Sequence, residues 1–345
     1  MKKESINSIN GLRGIACLMI VLYHTRLGVD IPLIGGIVKN GFMFVEVFLV
    51  ISGFVMAYNY GDRIGQQNFK TYISRRYFKL MPLFWTSELV LFLYAIVQNI
   101  VGGRYIIPKS YFAFIFEQTG FCGWSQTIGR PWNDPLWTIS CLLWCYALYY
   151  VVAKLSQGSK NAEFTAYILL LVVSCVLIIK PMDNGIVFLE PYFLRCVAAF
   201  SMGVLICAGY GVFEEKKVKT VVGRLLVIAG ISVYFLGMDF EKLYDAKEQA
   251  IVFGILVLGP VLLLMALYIS IVKKTLELKL FQWLGEIALS LYVWHAVVII
   301  VFEDMMGMTG EIDQIVRLVE IGISVVVAII SKIVLEGLVL KKKTA

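Results

Sequence analysis

The stretch INGLRGIACLMIVLYHT, residues 9–25, decides how this chain folds, because an apolar run of helical length here carries both a guanidinium and an imidazole. Arg13 and His24 stand eleven residues apart, about three helical turns, so both side chains project from one face. They lie ~16 Å apart along the axis, about half the thickness of a bilayer's hydrocarbon core. Ionisable groups at such depth are costly and usually functional, although a snorkelling arginine and a structural histidine are the alternative.

The composition is that of a membrane protein with many spans. The 345 residues are 59% hydrophobic and only 16% charged, which is too apolar for a soluble domain. The net charge of +7 does not indicate a nucleic-acid partner, because the basic residues lie in short loops and not in one patch. The cysteines fall almost entirely within apolar runs, so they indicate neither a disulfide framework nor a metal site.

About ten apolar runs reach the ~20 residues that a membrane-spanning helix needs. They cover residues 9–26, 41–60, 78–101, 136–155, 164–180, 188–209, 220–237, 250–272, 282–302 and 314–336. We therefore expect an all-α polytopic membrane protein that forms one domain over residues 1–345. Most lysines and arginines fall inside if the N-terminus is cytoplasmic, so the positive-inside rule predicts that both termini are cytoplasmic. No small-residue cleavage site follows the first run, so we expect it to be a span and not a signal peptide.

The Gly-Leu-Arg-Gly opening and the Arg, ten residues, His spacing resemble the first span of the acyltransferase-3 family, bacterial membrane enzymes that O-acylate cell-surface carbohydrate. Later stretches continue the resemblance in order: FVEVFLVISGF, YISRRYFKLMPLFW, LWTISCLLWCYALYY, YFLRCVAAFSMG and SLYVWH. Three positions depart from the family pattern. Glu46 stands where Asp is common, Lys79 where a second Arg is usual, and Leu142 where an acidic residue is expected after Ser140.

The resemblance implies that His24 is catalytic. We expect it to act as general base on the acceptor hydroxyl, with a covalent acyl-histidine as the alternative that the sequence leaves open. Glu46 is the first candidate partner, because a carboxylate fixes the tautomer of an imidazole base and stabilises its protonated form. The alternative is that Glu46 is protonated or paired with an arginine.

A basic cluster at the predicted inner surface is the candidate donor site. Arg13, Arg75, Arg76 and Lys79 resemble the family's arginine-rich pattern, and we expect them to bind the phosphates of cytoplasmic acyl-CoA. The alternative is that these residues determine topology and contact lipid headgroups.

Six further residues are predicted to bind the acceptor or to support the site: Trp137, Ser140, Arg195, Ser290, Tyr292 and His295. Arg195 is expected near the outer end of its helix, where it would meet an anionic substrate or the membrane interface. His295 is one of only two histidines in the chain, and a structural role in the core is the alternative for it.

By resemblance the reaction is acyl transfer, most often of acetyl from acetyl-CoA, onto a hydroxyl of a surface polysaccharide or its lipid-linked precursor. The protein would lie in the bacterial plasma membrane, with no metal, no tightly bound cofactor and no nucleic-acid partner. The rival hypothesis is a transporter of a polar or glycan-related solute that uses intramembrane Arg, His and Glu as a relay. Against it, the sequence shows no inverted repeat and no paired Gly/Pro-broken helices.

Overall fold

The computed structural model describes residues 6–28, 32–102, 118–120, 132–180, 190–213, 247–307 and 313–344. Over these ranges the chain is all-helical, as the sequence predicts. The α-helices are α1 (Asn7–His24), α2 (Pro32–Lys39), α3 (Phe44–Tyr60), α4 (Phe69–Ile100), α5 (Trp137–Leu155), α6 (Lys160–Ile179), α7 (Pro191–Phe213), α8 (Lys247–Phe253), α9 (Gly259–Tyr268), α10 (Ser270–Leu276), α11 (Lys279–Met305) and α12 (Gln314–Thr344). Short 3₁₀ turns precede α3, α4 and α5, and a π-helical segment, Gly254–Leu258, joins α8 to α9.

Eight helical segments in the described ranges are long and apolar enough to cross a membrane. They are Gly41–Tyr60, Phe69–Ile100, Asp134–Leu155, Lys160–Ile179, Pro191–Tyr210, Lys247–Tyr268, Lys279–Met305 and Gln314–Val334. Each coincides with a predicted run, so the polytopic all-α architecture is confirmed. The first predicted run forms α1, which Asn10, Arg13 and His24 make less apolar than these eight, and the predicted run 220–237 lies outside the described residues. The number ten and the cytoplasmic termini stay predictions.

Glycines allow α1 and α11 to touch backbone to backbone. A Cβ atom added at Gly14 would lie 2.5 Å from the amide nitrogen of Gly285, and one added at Gly285 would lie 2.1 Å from the carbonyl oxygen of Asn10. One turn further along, the thiol of Cys17 donates to the carbonyl of Ala288 over 3.1 Å. The contacting positions increase together along both helices, which therefore run parallel. Small residues at such contacts let membrane helices associate through close packing.

A second close contact joins α3 to α7. A Cβ atom at Gly53 would lie 2.0 Å from the carbonyl oxygen of Phe200, and one at Gly203 would lie 2.0 Å from that of Val50. The contact keeps the paired side chains of Glu46 on α3 and Arg195 on α7 away from water. The α3–α7 and α1–α11 pairs are the two most extensive helix contacts in the described part of the chain.

Candidate active site

A cavity of about 600 Å³ opens among α1, α3, α4, α5 and α11. Four cationic side chains line it, and among the described residues that line it there is no aspartate or glutamate. The cations are Arg13, Arg63, Arg76 and Lys79. The rest of the wall is mainly apolar and aromatic, and it includes Phe48, Ile51, Thr138, Leu142, Tyr146, Leu289 and Tyr292. A cavity with positive charge and an apolar wall suits a ligand that has both an anionic part and an apolar part.

Two of the arginines have donors that are still available. Arg13 donates through Nη2 to the side-chain oxygen of Asn10 and to the carbonyl of Gly285, both over 2.7 Å. The guanidinium of Arg76 lies 4.7 Å from the ring centroid of Tyr60 and 5.5 Å from that of Tyr146. The Nε atoms of both arginines are buried and have no hydrogen-bond partner among the described residues. Buried N–H groups without an acceptor favour an anionic ligand, because charge-assisted hydrogen bonds to phosphate would satisfy them.

Of the three predicted donor-binding residues on α4, two line the cavity and one does not. Asn68 caps its first turn by accepting a hydrogen bond from the amide of Thr71, which fixes where the helix begins. Arg76 and Lys79 are three residues apart and share the face that lines the cavity, whereas Arg75 is turned by about 100° and is exposed to the surroundings. Arg75 is therefore not part of the cavity wall, contrary to its predicted place.

Arg63 lies in the cavity wall although the sequence indicated only a loop charge. It occupies the 3₁₀ segment Gly61–Gln66 that follows α3, and its guanidinium donates to the carbonyl of Asn59 over 2.9 Å. No motif identified this position, because nothing in the sequence shows on which side of the cavity a short loop folds.

His24 and His295 lie against each other. Their ring centroids are 5.1 Å apart with an interplanar angle of 69°, and His24 also contacts the ring of Tyr23 at 5.1 Å. His24 is half-buried at the end of α1, whereas His295 is fully buried in α11. The contact confirms that Arg13 and His24 share one face of α1, since both meet α11. No pattern in the sequence indicated that the two histidines of the chain would meet.

Tyr292 separates the histidines from the cavity. Its ring centroid lies 5.8 Å from that of His295 on one side and stacks on Phe48 at 5.9 Å on the other. The Tyr292 hydroxyl donates to the carbonyl of Pro135 over 3.1 Å and lies 2.9 Å from the hydroxyl of Thr138. Tyr292 and Thr138 both belong to the cavity wall, whereas neither histidine does. The cavity therefore ends one aromatic ring away from the histidine pair.

Glu46 does not pair with His24, so that prediction is wrong. Arg195 approaches Oε1 of Glu46 with Nη2 at 2.6 Å and Nε at 2.7 Å, and its guanidinium lies 5.0 Å from the ring of Trp137. Arg195 is buried, at 6% exposure, so it pairs with Glu46 inside the protein instead of contacting an anionic substrate or the membrane interface, the two partners expected from the sequence. The close contact of α3 with α7 removes both groups from water, and a buried carboxylate and guanidinium then satisfy each other. The alternative of an arginine partner for Glu46 is the one observed.

The remaining predicted residues lie near the site without entering the cavity. Ser140 and Ser290 are buried in α5 and α11, and Trp137 packs under Arg195. None of these three side chains lines the cavity. Their place is in the surrounding helix contacts.

The family model of the acyltransferase domain matches residues 6–336, which is nearly the whole chain. The chain belongs to the acyltransferase-3 family. It is 24% identical over 319 residues to the "Putative acetyltransferase ORF330" of Acidianus two-tailed virus, covering 90% of this chain and 87% of the relative. It is 26% identical over 171 residues to the "Putative membrane-bound transacylase BcsY" of Komagataeibacter xylinus, covering 46% of this chain and 40% of the relative. No solved structure matches significantly.

Two carboxylates of this acyltransferase-3 family member were missed by the sequence reasoning. Glu88 is fully buried in α4 and accepts a hydrogen bond from the amide of Asn133 over 2.9 Å, while the Asn133 side chain donates to the carbonyl of Val293 over 2.8 Å. These bonds fix the 3₁₀ turn Asp134–Leu136 against α11. They also place Asp134 close enough to interact electrostatically with His24. A carboxylate within an apolar run was the available signal for Glu88, the same signal that singled out Glu46.

Leu142, at which the resemblance led us to expect an acidic residue, affects the character of the cavity. The position is buried in α5, and its side chain forms part of the cavity wall. A carboxylate there would add negative charge to a cavity whose charged lining residues, among those described, are all cationic. Leucine instead leaves that part of the wall apolar, which favours an anionic ligand with an apolar arm.

Proposed function

We propose that this protein transfers an acetyl group from acetyl-CoA to a hydroxyl of a cell-surface polysaccharide or of its lipid-linked precursor, in the bacterial plasma membrane. The observation that carries the proposal is the cation-lined cavity ending next to the histidine pair. Membership of the acyltransferase-3 family supports the reaction class. The names of the two relatives, an acetyltransferase and a membrane-bound transacylase, support it further.

Coenzyme A fits the chemistry of the cavity wall. Its phosphates would bind the guanidinium groups of Arg13, Arg63 and Arg76 and the ammonium group of Lys79. Its pantetheine arm would lie against the apolar wall that includes Leu142 and Leu289. The thioester would then be at the end of the cavity that Tyr292 closes. A cavity of about 600 Å³ is within the range that small-molecule sites occupy.

His24 would act as the general base. One ring nitrogen of His24 takes the proton of the acceptor hydroxyl while that oxygen attacks the thioester carbonyl carbon. The carbon–sulfur bond then breaks, and the leaving thiolate takes the proton back from the imidazolium. The products are an O-acetyl ester and coenzyme A with a free thiol, and His24 returns to its neutral form. Because Tyr292 lies between the cavity and the histidines, its side chain must turn aside or the thioester must pass along its edge.

The test uses the purified protein in nanodiscs with radiolabelled acetyl-CoA as donor and a membrane extract of the source organism as acceptor. We expect label to move into extractable glycan. The variant His24→Ala should transfer ~10²- to 10⁴-fold more slowly, because general-base catalysis contributes about that factor. Coenzyme A affinity, measured by calorimetry, should stay near that of the unmodified protein, since His24 lies outside the cavity wall.

Two outcomes would contradict the proposal. Transfer by His24→Ala at a rate within a few-fold of the unmodified protein would remove His24 from the mechanism. A purified protein that binds no coenzyme A, while accumulating a solute when reconstituted in liposomes, would favour a transporter.

A further inference from the structure

The Nε2 atom of His295 is a buried hydrogen-bonding group without a partner. The side chain is fully buried in α11, and its Nδ1 lies 3.3 Å from the carbonyl oxygen of Leu291, one turn earlier. No hydrogen bond reaches Nε2 from the described residues. Buried polar atoms are nearly always satisfied, so an orphaned ring nitrogen beside a candidate active site calls for an explanation.

The Leu291 carbonyl decides which nitrogen of His295 carries the proton. A carbonyl oxygen only accepts hydrogen bonds, so the contact with Leu291 requires Nδ1 to be protonated. In the neutral ring Nε2 is then an acceptor with a lone pair. This lone pair faces the packed protein interior, where its burial costs free energy unless a hydrogen-bond donor reaches it.

His24 is the donor within reach. The two ring centroids are 5.1 Å apart in an edge-to-face contact, and no hydrogen bond joins the two rings in this structure. A separation of about 5 Å is nevertheless short enough for one N–H···N bond to form when the His24 ring turns. The other aromatic neighbour of His295, Tyr292, directs its hydroxyl away to the Pro135 carbonyl and to Thr138. Glu46, the partner expected from the sequence, pairs with Arg195 instead. Neither of these residues is therefore placed to orient His24. Asp134, which interacts electrostatically with His24, is a further candidate, and an unchanged kcat in His295→Leu would favour it.

We infer that His295 is the positioning residue for His24: the His24 ring turns so that Nε2 of His295 accepts the N–H of one His24 ring nitrogen, which leaves the other nitrogen of His24 unprotonated toward the acceptor hydroxyl. This role deepens the proposed acyl transfer and rests on it. The proton of the hydroxyl goes to His24 and returns from His24 to the leaving thiolate, so His295 gains and loses no proton in the cycle. An imidazole takes the place that a carboxylate occupies in a catalytic triad.

The kinetic test compares two substitutions at one position, with acetyl-CoA as donor probe and the same membrane extract as acceptor. His295→Leu removes the acceptor atom at similar volume and should lower kcat by roughly 10- to 100-fold, with KM for acetyl-CoA within about threefold of the unmodified protein. His295→Gln keeps an amide that can donate to the Leu291 carbonyl and an oxygen that can accept from His24. It should recover kcat to within about fivefold of the unmodified protein. An unchanged kcat in His295→Leu, or equal losses in both variants, would overturn the inference.

The spectroscopic test does not need catalysis or a tolerated loss of the ring. The chain contains only two histidines, so a protein labelled with ¹⁵N at the imidazoles gives two side-chain spin systems, which His295→Gln assigns. At neutral pH we expect His295 to be protonated at Nδ1 and bare at Nε2, with coupling of Nε2 to a His24 proton. A His295 ring protonated at Nε2 would overturn the inference. If the unmodified protein transfers no acetyl group, the proposed function fails, while this spectrum still decides whether the two rings are paired.

Discussion

Arg195 directs both Nε and Nη2 at a single oxygen of Glu46, at 2.7 and 2.6 Å, while the second carboxylate oxygen has no hydrogen-bond partner in the part of the chain that the structure describes. The side chains are 8% and 0% exposed, so the pair lies in the dry interior between α3 and α7. Removing two charges from water is costly, and the cost is recovered only while both partners are present. The pair therefore holds α3 to α7 only as long as it remains intact.

Breaking this pair should cost more stability than deleting it. Arg195→Leu leaves a buried carboxylate alone and should lower the free energy of unfolding by about 3–5 kcal/mol, whereas the double variant Glu46→Leu, Arg195→Leu should lose less. The matched control is the partly exposed pair of Lys332 with Glu286, where Glu286→Gln should cost about 0–1 kcal/mol. Thermal unfolding in detergent measures all three. A double variant less stable than Arg195→Leu would contradict the argument.

The neighbouring arginines of α4 offer a matched pair for the donor site. Arg76→Gln should weaken coenzyme A binding by about 1.5–3 kcal/mol, roughly 10- to 150-fold, because a charge-assisted hydrogen bond to phosphate is lost. Arg75→Gln removes the same charge one residue away, on the exposed face, and should change the affinity less than about twofold. Calorimetry on the purified variants distinguishes them. Equal effects would show that the cluster acts only through its overall charge.

The sequence predicts the architecture well and the pairings of side chains poorly, for a physical reason. Helix length and apolar composition depend on local sequence, so every membrane-spanning segment in the described ranges coincides with a predicted run. The face shared by Arg13 and His24 follows from helical periodicity and is equally local. Which partner a buried charge finds depends on how the helices cross. Sequence reasoning therefore paired Glu46 with His24, and it had no means to see that His295 would be the neighbour.

The contact of α1 with α11 should tolerate no added methyl group. Gly285→Ala would place a Cβ atom 2.1 Å from the backbone oxygen of Asn10, so the helices must separate, and we expect a loss of about 1–3 kcal/mol in stability. Coenzyme A binding should weaken as well, because the Arg13 guanidinium donates to the Gly285 carbonyl. The control is Gly322→Ala in α12, where nothing lies within 4 Å of the added atom. There, stability should stay equal or rise by up to about 1 kcal/mol. A Gly285→Ala protein as stable as its control would refute the close contact.

The predicted orientation can be tested at two exposed positions of the described structure. On a cysteine-free background, Gln66→Cys should resist a membrane-impermeant maleimide in intact cells, because the segment after α3 is predicted to face the cytoplasm. Met306→Cys, at the end of α11, should react. Permeabilised cells provide the control, since both should then label. The reverse pattern in intact cells would place the cation-lined cavity on the outer side, away from cytoplasmic acyl-CoA.

The hydrogen bond from Arg13 to Gly285 joins positions 272 apart in the chain, and the ring contact of His24 with His295 spans almost the same distance. A ribosome therefore releases the first helix, with its guanidinium and imidazole, long before the helix that shields them exists. Until α11 is inserted, the face of α1 that carries Arg13 and His24 is either exposed to lipid or in contact with another molecule. Helices α1 and α11 can meet only after the helices between them have been inserted. The site is therefore among the last parts of the molecule to assemble.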